Sequence, residues 1–146
     1  MTANVQPIFP LTPKVSWGTV TTANTAKDGT GTVVTVFTAG VNGARIDQIK
    51  VRALGTNVAT VMRFFVNNGS VNTTAANNSL AHEVTIAATT LSETSALADN
   101  DITINKDGGA RTEVPIPYLP AGYKLNVTIG TTVAAGLAVT VWGADY

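Results

Sequence analysis

ARIDQIKVRALGTNVATVMRFFVNNG, residues 44–69, holds two β-rich runs, 45–54 and 58–67, separated by the short polar break Gly55-Thr56-Asn57. Asn42-Gly43 opens this unit and Asn68-Gly69 closes it, and both dipeptides favour type I′ turns. Side chains alternate along a strand. In the second run Val58, Thr60, Met62, Phe64 and Val66 therefore share one face, and Val61, Arg63 and Phe65 share the other. Both faces carry apolar weight. That pattern marks a central strand covered on both sides, by a second sheet and by a neighbouring subunit. In the first run Ile46 and Ile49 are out of phase, whereas Ile49, Val51 and Ala53 agree. A β-bulge near Asp47-Gln48 reconciles them.

Working outward, residues 14–22 predict a strand with Val15, Trp17 and Thr19 on one face, and residues 32–39 a β-branched strand. Residues 23–31 form a turn-rich loop. Its Gly29 and Gly31 lack the following Lys-Ser/Thr and helix of a phosphate-cradling loop. Residues 70–79 read as a flexible polar surface loop, and 80–90 as a strand. Residues 91–101 are the one candidate for a helical turn, with Ser92 and Ser95 as caps and no sustained 3.6-residue stripe. Lys106-Asp107-Gly108-Gly109 signals a hairpin, and Pro115, Pro117 and Pro120 an extended, edge-like passage. Residues 123–130 and 137–144 alternate cleanly, with 131–136 as their hairpin loop. About eight strands with turn signals between them predict an all-β fold, an antiparallel β-sandwich with jelly-roll-like connections.

Residues 1–13 stand apart as an extended Pro-rich N-terminal arm before a single sandwich domain, 14–146. Pro7, Pro10 and Pro13 keep the arm out of any central strand. Ile8, Phe9 and Leu11 need cover, on the arm's own domain or on a neighbouring subunit. Tyr118, Tyr123, Trp142 and Tyr146 read as surface or interface aromatics, and Trp17 and the phenylalanines as core. The candidate interface is Ile8, Phe9, Leu11, Tyr118, Trp142 and Tyr146. The spacing of the aromatics does not outline a sugar-binding platform.

The chain has 146 residues, no net charge and 12% charged residues, against roughly 25% for an average soluble domain. That balance argues against nucleic acid, which is bound by clustered Lys and Arg, and against an acidic membrane surface. Low charge with a positive mean hydropathy points to a monomer whose surface is covered in use, hence to an oligomer or larger assembly. No cysteine is present, so disulfides and zinc–thiolate sites are excluded. Neither a signal peptide nor a run of about 20 apolar residues is visible, which predicts a soluble protein made in a cytosol.

Chemistry is sparse. His82 is the one histidine, and its neighbour Glu83 points to the opposite face, so a strand-surface histidine is expected rather than a catalytic base. From Asp99, the sixth and twelfth positions are Ile104 and Ala110 where an EF-hand needs Gly and Glu. Glu83, Glu93 and Glu113 are not paired by sequence as a glycosidase dyad. The Asn-x-Ser/Thr triplets at Asn68, Asn72, Asn77 and Asn126 are expected by chance in a chain so rich in Asn and Thr. The expectation is no enzyme, with no catalytic, metal or cofactor site.

RIDQIKVRALGTNVATVMRFFVNNG, TIAATTLSET and LPAGYKLNVTIGTTVAAGLAVTVWGADY resemble small structural proteins of tailed bacteriophages, over about residues 45–146. The resemblance implies a virion component on the capsid surface, made in the host cytoplasm. It implies a decoration, or cement, protein binding across major capsid protein subunits, often as a homotrimer. About a dozen apolar residues on the arm and a sheet face would bury on the order of 1,000 Å², enough for a specific contact. The alternative expectation is a tail-fibre or baseplate adaptor, or a carbohydrate-recognition sandwich.

Overall fold

The computed structural model describes residues 9–105 and 112–146. Eleven strands follow one another among the described residues: β1 Thr12–Val20, β2 Val34–Thr38, β3 Ala44–Ala53, β4 Thr60–Asn67, β5 Asn78–Ile86, β6 Asp99–Asp101, β7 Ile104–Asn105, β8 Thr112–Glu113, β9 Tyr118–Leu119, β10 Lys124–Ile129 and β11 Leu137–Asp145. One sheet runs β1-β11-β3-β6, with β9 also paired to β3; the other runs β2-β10-β4-β5. All their ladders are antiparallel. The two sheets pack face to face as a β-sandwich over one core, in which Val51, Val139 and Val141 meet Phe37, Phe64 and Val127. The pair β7-β8 stands where the hairpin signal predicts, and its turn lies outside the described residues.

The bulge is where the phase conflict in β3 puts it. Gln48 pairs with Trp142 and Ile46 with Gly143, so Asp47 is the extra residue, and Ile46 and Ile49 both reach the core. A Cβ on Gly143 would overlap the Arg45 carbonyl oxygen, so only glycine fits opposite the bulge. Strand β4 lies between β10 and β5 and is covered on both faces, as its two apolar faces require.

The chain itself supplies cover on the outer face. The loop before β2 folds over it: Asn24 O accepts from Arg63 Nη1 at 3.4 Å, and Gly29 backs onto the Phe65 ring. Asn24 holds that loop in shape, donating to Thr30 O and Thr32 O and accepting from Ala26 N. Arg63 is buried, and its Nε donates to Glu83 Oε1 at 2.7 Å.

Other expectations are corrected as well. Residues 131–136 do not close a hairpin, because β10 and β11 belong to different sheets; buried Val133 anchors a crossing between them. No described non-glycine residue has positive φ, so Asn42-Gly43 and Asn68-Gly69 are not type I′ turns; only the glycines, at φ 90° and 94°, are left-handed. Residues 91–101 are not helical. The Ser92 hydroxyl accepts from Thr94 N and Ser95 N in a local turn, and the segment ends in β6. The one described helical turn, a 3-10 turn at Ala75–Asn77, lies in the segment read as a loop. Strand β1 begins at Thr12, so Pro13 sits in the sheet, on an edge strand where proline is tolerated.

Phe64→Ala and Phe65→Ala should each destabilise the isolated chain by about 3–5 kcal/mol in urea denaturation, since both rings are fully buried within one copy. Asp28 Oδ1 accepts from Thr30 Oγ1 (2.7 Å) and Thr30 N (3.0 Å), and these bonds hold its carboxyl below the ordinary 3.8. A value depressed by folding contributes stability above the unfolded-state value, and that stability is lost as pH falls through the folded-state value. In a carbon-13 carboxylate titration Asp28 should titrate below 3.8, and Thr30→Val should bring it back up.

Candidate functional site

Strand β1 is inside out. Lys14, Ser16 and Gly18 turn toward the other sheet, while Val15, Trp17 and Thr19 turn to solvent. The reason is close packing at Gly18, where a Cβ would stand 2.6 Å from Val34 Cγ1 on β2. Lys14 fits the same inner face by lying 5.1 Å from the Phe37 ring centroid and donating to Thr38 O (2.6 Å) and Asp145 Oδ2 (2.9 Å). The bulky apolar residues are left outside.

The ladders assemble these residues into the outer face of the five-stranded sheet. Pro13, Ala144, Arg45 and Tyr118 form one row across it; Val15, Trp142 and Gln48 form the next. Trp17, Thr140, Lys50 and Asp101 form the third, and Thr19, Ala138, Arg52 and Asp99 the fourth. Leu11 N donates to Asp145 O, and the register carried one residue past β1 sets Leu11 beside Tyr146. Phe9 (68%), Leu11 (80%), Val15 (51%), Trp17 (71%) and Tyr118 (66%) are all exposed. Trp142 and Tyr146 are half-buried.

The face changes character along its width. At the β1 side it is apolar. At the β3–β6 side it carries a compensated ladder: Arg52 Nε lies 2.9 Å from Asp99 Oδ1, and Lys50 Nζ lies 3.8 Å from Asp99 Oδ2 and 3.7 Å from Asp101 Oδ1. Near Tyr118, Arg45 Nε donates to Asp47 Oδ1 at 2.7 Å, which raises the guanidinium above its already high value. A partner laid on this face meets apolar surface and charges that already have partners.

Of the expected interface residues, the structure gathers Leu11, Trp142, Tyr118 and Tyr146 on this one face, with Phe9 exposed beyond Leu11; Ile8 lies outside the described residues. Two members were missed. Val15 and Trp17 looked like a core-facing pair, and Trp17, read as core, is the most exposed of the large aromatics. The signal that could have found them was Gly18 on the opposite face of the same strand, a close-approach residue that names the inner side.

The residues weighed for chemistry have other occupations. The His82 ring lies 6.2 Å from that of Phe64, Glu83 is bound to Arg63, and Asp99 and Asp101 sit on a paired strand facing Lys50 and Arg52. Among the described residues, no group of three or more His, Cys, Asp or Glu side chains is gathered for a metal ion. The four asparagines of the Asn-x-Ser/Thr triplets are structural: Asn68 Nδ2 donates to Asn77 Oδ1, Asn72 Nδ2 to Gly31 O and Asn77 Nδ2 to Val71 O, and Asn126 is buried. Comparison with protein-family models, curated proteins and solved structures finds no match.

Trp17→Ala should change stability by less than about 0.5 kcal/mol, because the ring packs on little. In single-tryptophan variants, acrylamide should quench Trp17 fluorescence much more strongly than that of Trp142.

Proposed function

We propose that the protein is a structural virion component, a capsid decoration protein that docks through the outer face of its five-stranded sheet. The partner is the major capsid protein, engaged across subunit junctions by homotrimers of this chain. The observation that carries this reading is the inverted polarity of β1, which turns Val15 and Trp17 outward in line with exposed Phe9 and Leu11. Exposed apolar surface of this extent marks an interaction site. Tryptophan and tyrosine at the centre of such a face are the residues that most often dominate binding energy. The compensated ladder beside them lets the face be covered without stranding a charge.

The strand order supports the same reading. With the short β7, β8 and β9 set aside, eight strands fall into two sheets ordered first-eighth-third-sixth and second-seventh-fourth-fifth. We read this order as a jelly roll, the arrangement expected of a virion protein.

The test is copy number and retention on purified particles. Copies in the ratio of the capsid lattice, lost from the particle with Trp17→Asp while the isolated variant stays folded, are the expected result. A handful of copies per particle would move the assignment to a tail adaptor. Full retention of the Trp17→Asp protein would remove this face from the docking role.

A further inference from the structure

On the opposite side of the sandwich, a cleft of about 470 Å³ opens between the outer face of the four-stranded sheet and the segment after β4. Small-molecule sites fall roughly between 300 and 1,000 Å³. We propose that this cleft binds a carboxylated saccharide, a uronic-acid-type sugar. The assignment does not depend on the docking reading, since the two surfaces belong to different sheets.

The lining chemistry selects the ligand class. Thr35 and Asn126 present polar groups from β2 and β10, Ser70 and Thr73 present hydroxyls from the facing loop, and Lys124 adds one cation. Amides and hydroxyls, which both donate and accept, match the neighbouring hydroxyls of a sugar ring. Val33 and Val71 supply apolar contact for its C–H face. No aromatic side chain lines the cleft, so a nucleobase finds no ring to stack on. Lys124 is its one charged lining residue and has no carboxylate within ion-pair distance among the described residues. One unpaired ammonium suits a single carboxylate and is too little for a phosphate ester, which is gripped by several donors and cations.

The cleft is also built in advance. Asn67 is fully buried; its Oδ1 accepts from Gly69 N at 2.9 Å, and its Nδ2 donates to Asn78 Oδ1 at 2.8 Å. Asn78 Nδ2 donates to Asn72 O (2.9 Å) and Asn77 Nδ2 to Val71 O (2.9 Å), which fixes the loop wall. The buried Asn126 amide is oriented by Thr35 Oγ1, which donates to its Oδ1 at 2.7 Å and leaves Nδ2 as the donor for a ligand. A site whose walls are tied before binding loses less entropy when it is filled.

The experiment is a proton–nitrogen NMR titration of the full chain with sodium glucuronate, glucose, sodium acetate and sodium phosphate in parallel. Glucuronate should shift the Asn126 side-chain amide and the backbone of residues 70–73. Glucose should act at the same residues about tenfold more weakly, the value of one charge-assisted hydrogen bond. Lys124→Met, which keeps the apolar stem, should bring glucuronate to the level of glucose, and Thr73→Val should weaken both sugars. Shifts with acetate equal to those with glucuronate would reduce the site to a carboxylate contact and overturn the saccharide assignment. Stronger binding of phosphate, shifts confined to the Trp17 and Trp142 face, or no response to any sugar at millimolar concentration would each overturn it as well.

Discussion

Asn57 holds together two of the connections that cross from one sheet to the other at one end of this sandwich, those after β3 and after β10. A crossing segment leaves the ladders, so its backbone groups need partners elsewhere. Buried Asn57 donates from Nδ2 to Gly136 O and accepts at Oδ1 from Ala135 N, both at 3.0 Å. Its backbone N and O pair with Thr89, and Leu54 N also reaches Gly136 O. One side chain thus ties the first crossing to the second, and its backbone ties both to the chain leaving β5. The Thr60 hydroxyl repeats the device one turn on, accepting from Thr131 N at 3.0 Å. With both crossings fixed, β3 and β11 lie side by side in one sheet, and β4 and β10 in the other.

That arrangement decides which side of β1 is inside. Pairing with β11 fixes its register, and the approach of β2 at Gly18 leaves no room there for a side chain, so the face of β1 that carries Gly18 is the inner one. The outward display of Val15 and Trp17 follows from packing demands on the other face of the same strand. The exposed apolar face and the core are therefore coupled. A larger side chain at Gly18 would press on Val34 and disturb the strand that carries the tryptophan.

Much of this was readable from the chain alone, where the evidence is local. The phase conflict between Ile46 and Ile49 located the bulge because core strands tolerate no apolar residue facing out without a register change. The doubled apolar faces of β4 announced a covered strand. What was not readable is pairing. Alternation in 123–130 and 137–144 says that each is a strand with two unlike faces, and says nothing about whether they share a sheet. Alternation in β1 separated Val15 and Trp17 from Lys14 and Ser16, but hydrophobicity named the wrong side as inner. The cover over Phe65 was not readable because nothing local links residues 23–31 to a strand more than thirty residues later. The loop after β4 looked flexible because its asparagines read as solvated polar residues, whereas each side-chain amide replaces a missing backbone partner.

The two outer surfaces are held by different forces. Over the four-stranded sheet, the loops are pinned mainly by neutral amide groups: Asn24, Asn67, Asn72, Asn77 and Asn78. Over the five-stranded sheet, the polar half of the face is a ladder of full charges on Lys50, Arg52, Asp99 and Asp101. Mobile ions screen the second kind of contact and leave the first almost untouched. The polar half of the front therefore loosens as the ionic strength of the buffer rises, while the amide-pinned loops behind it keep their shape.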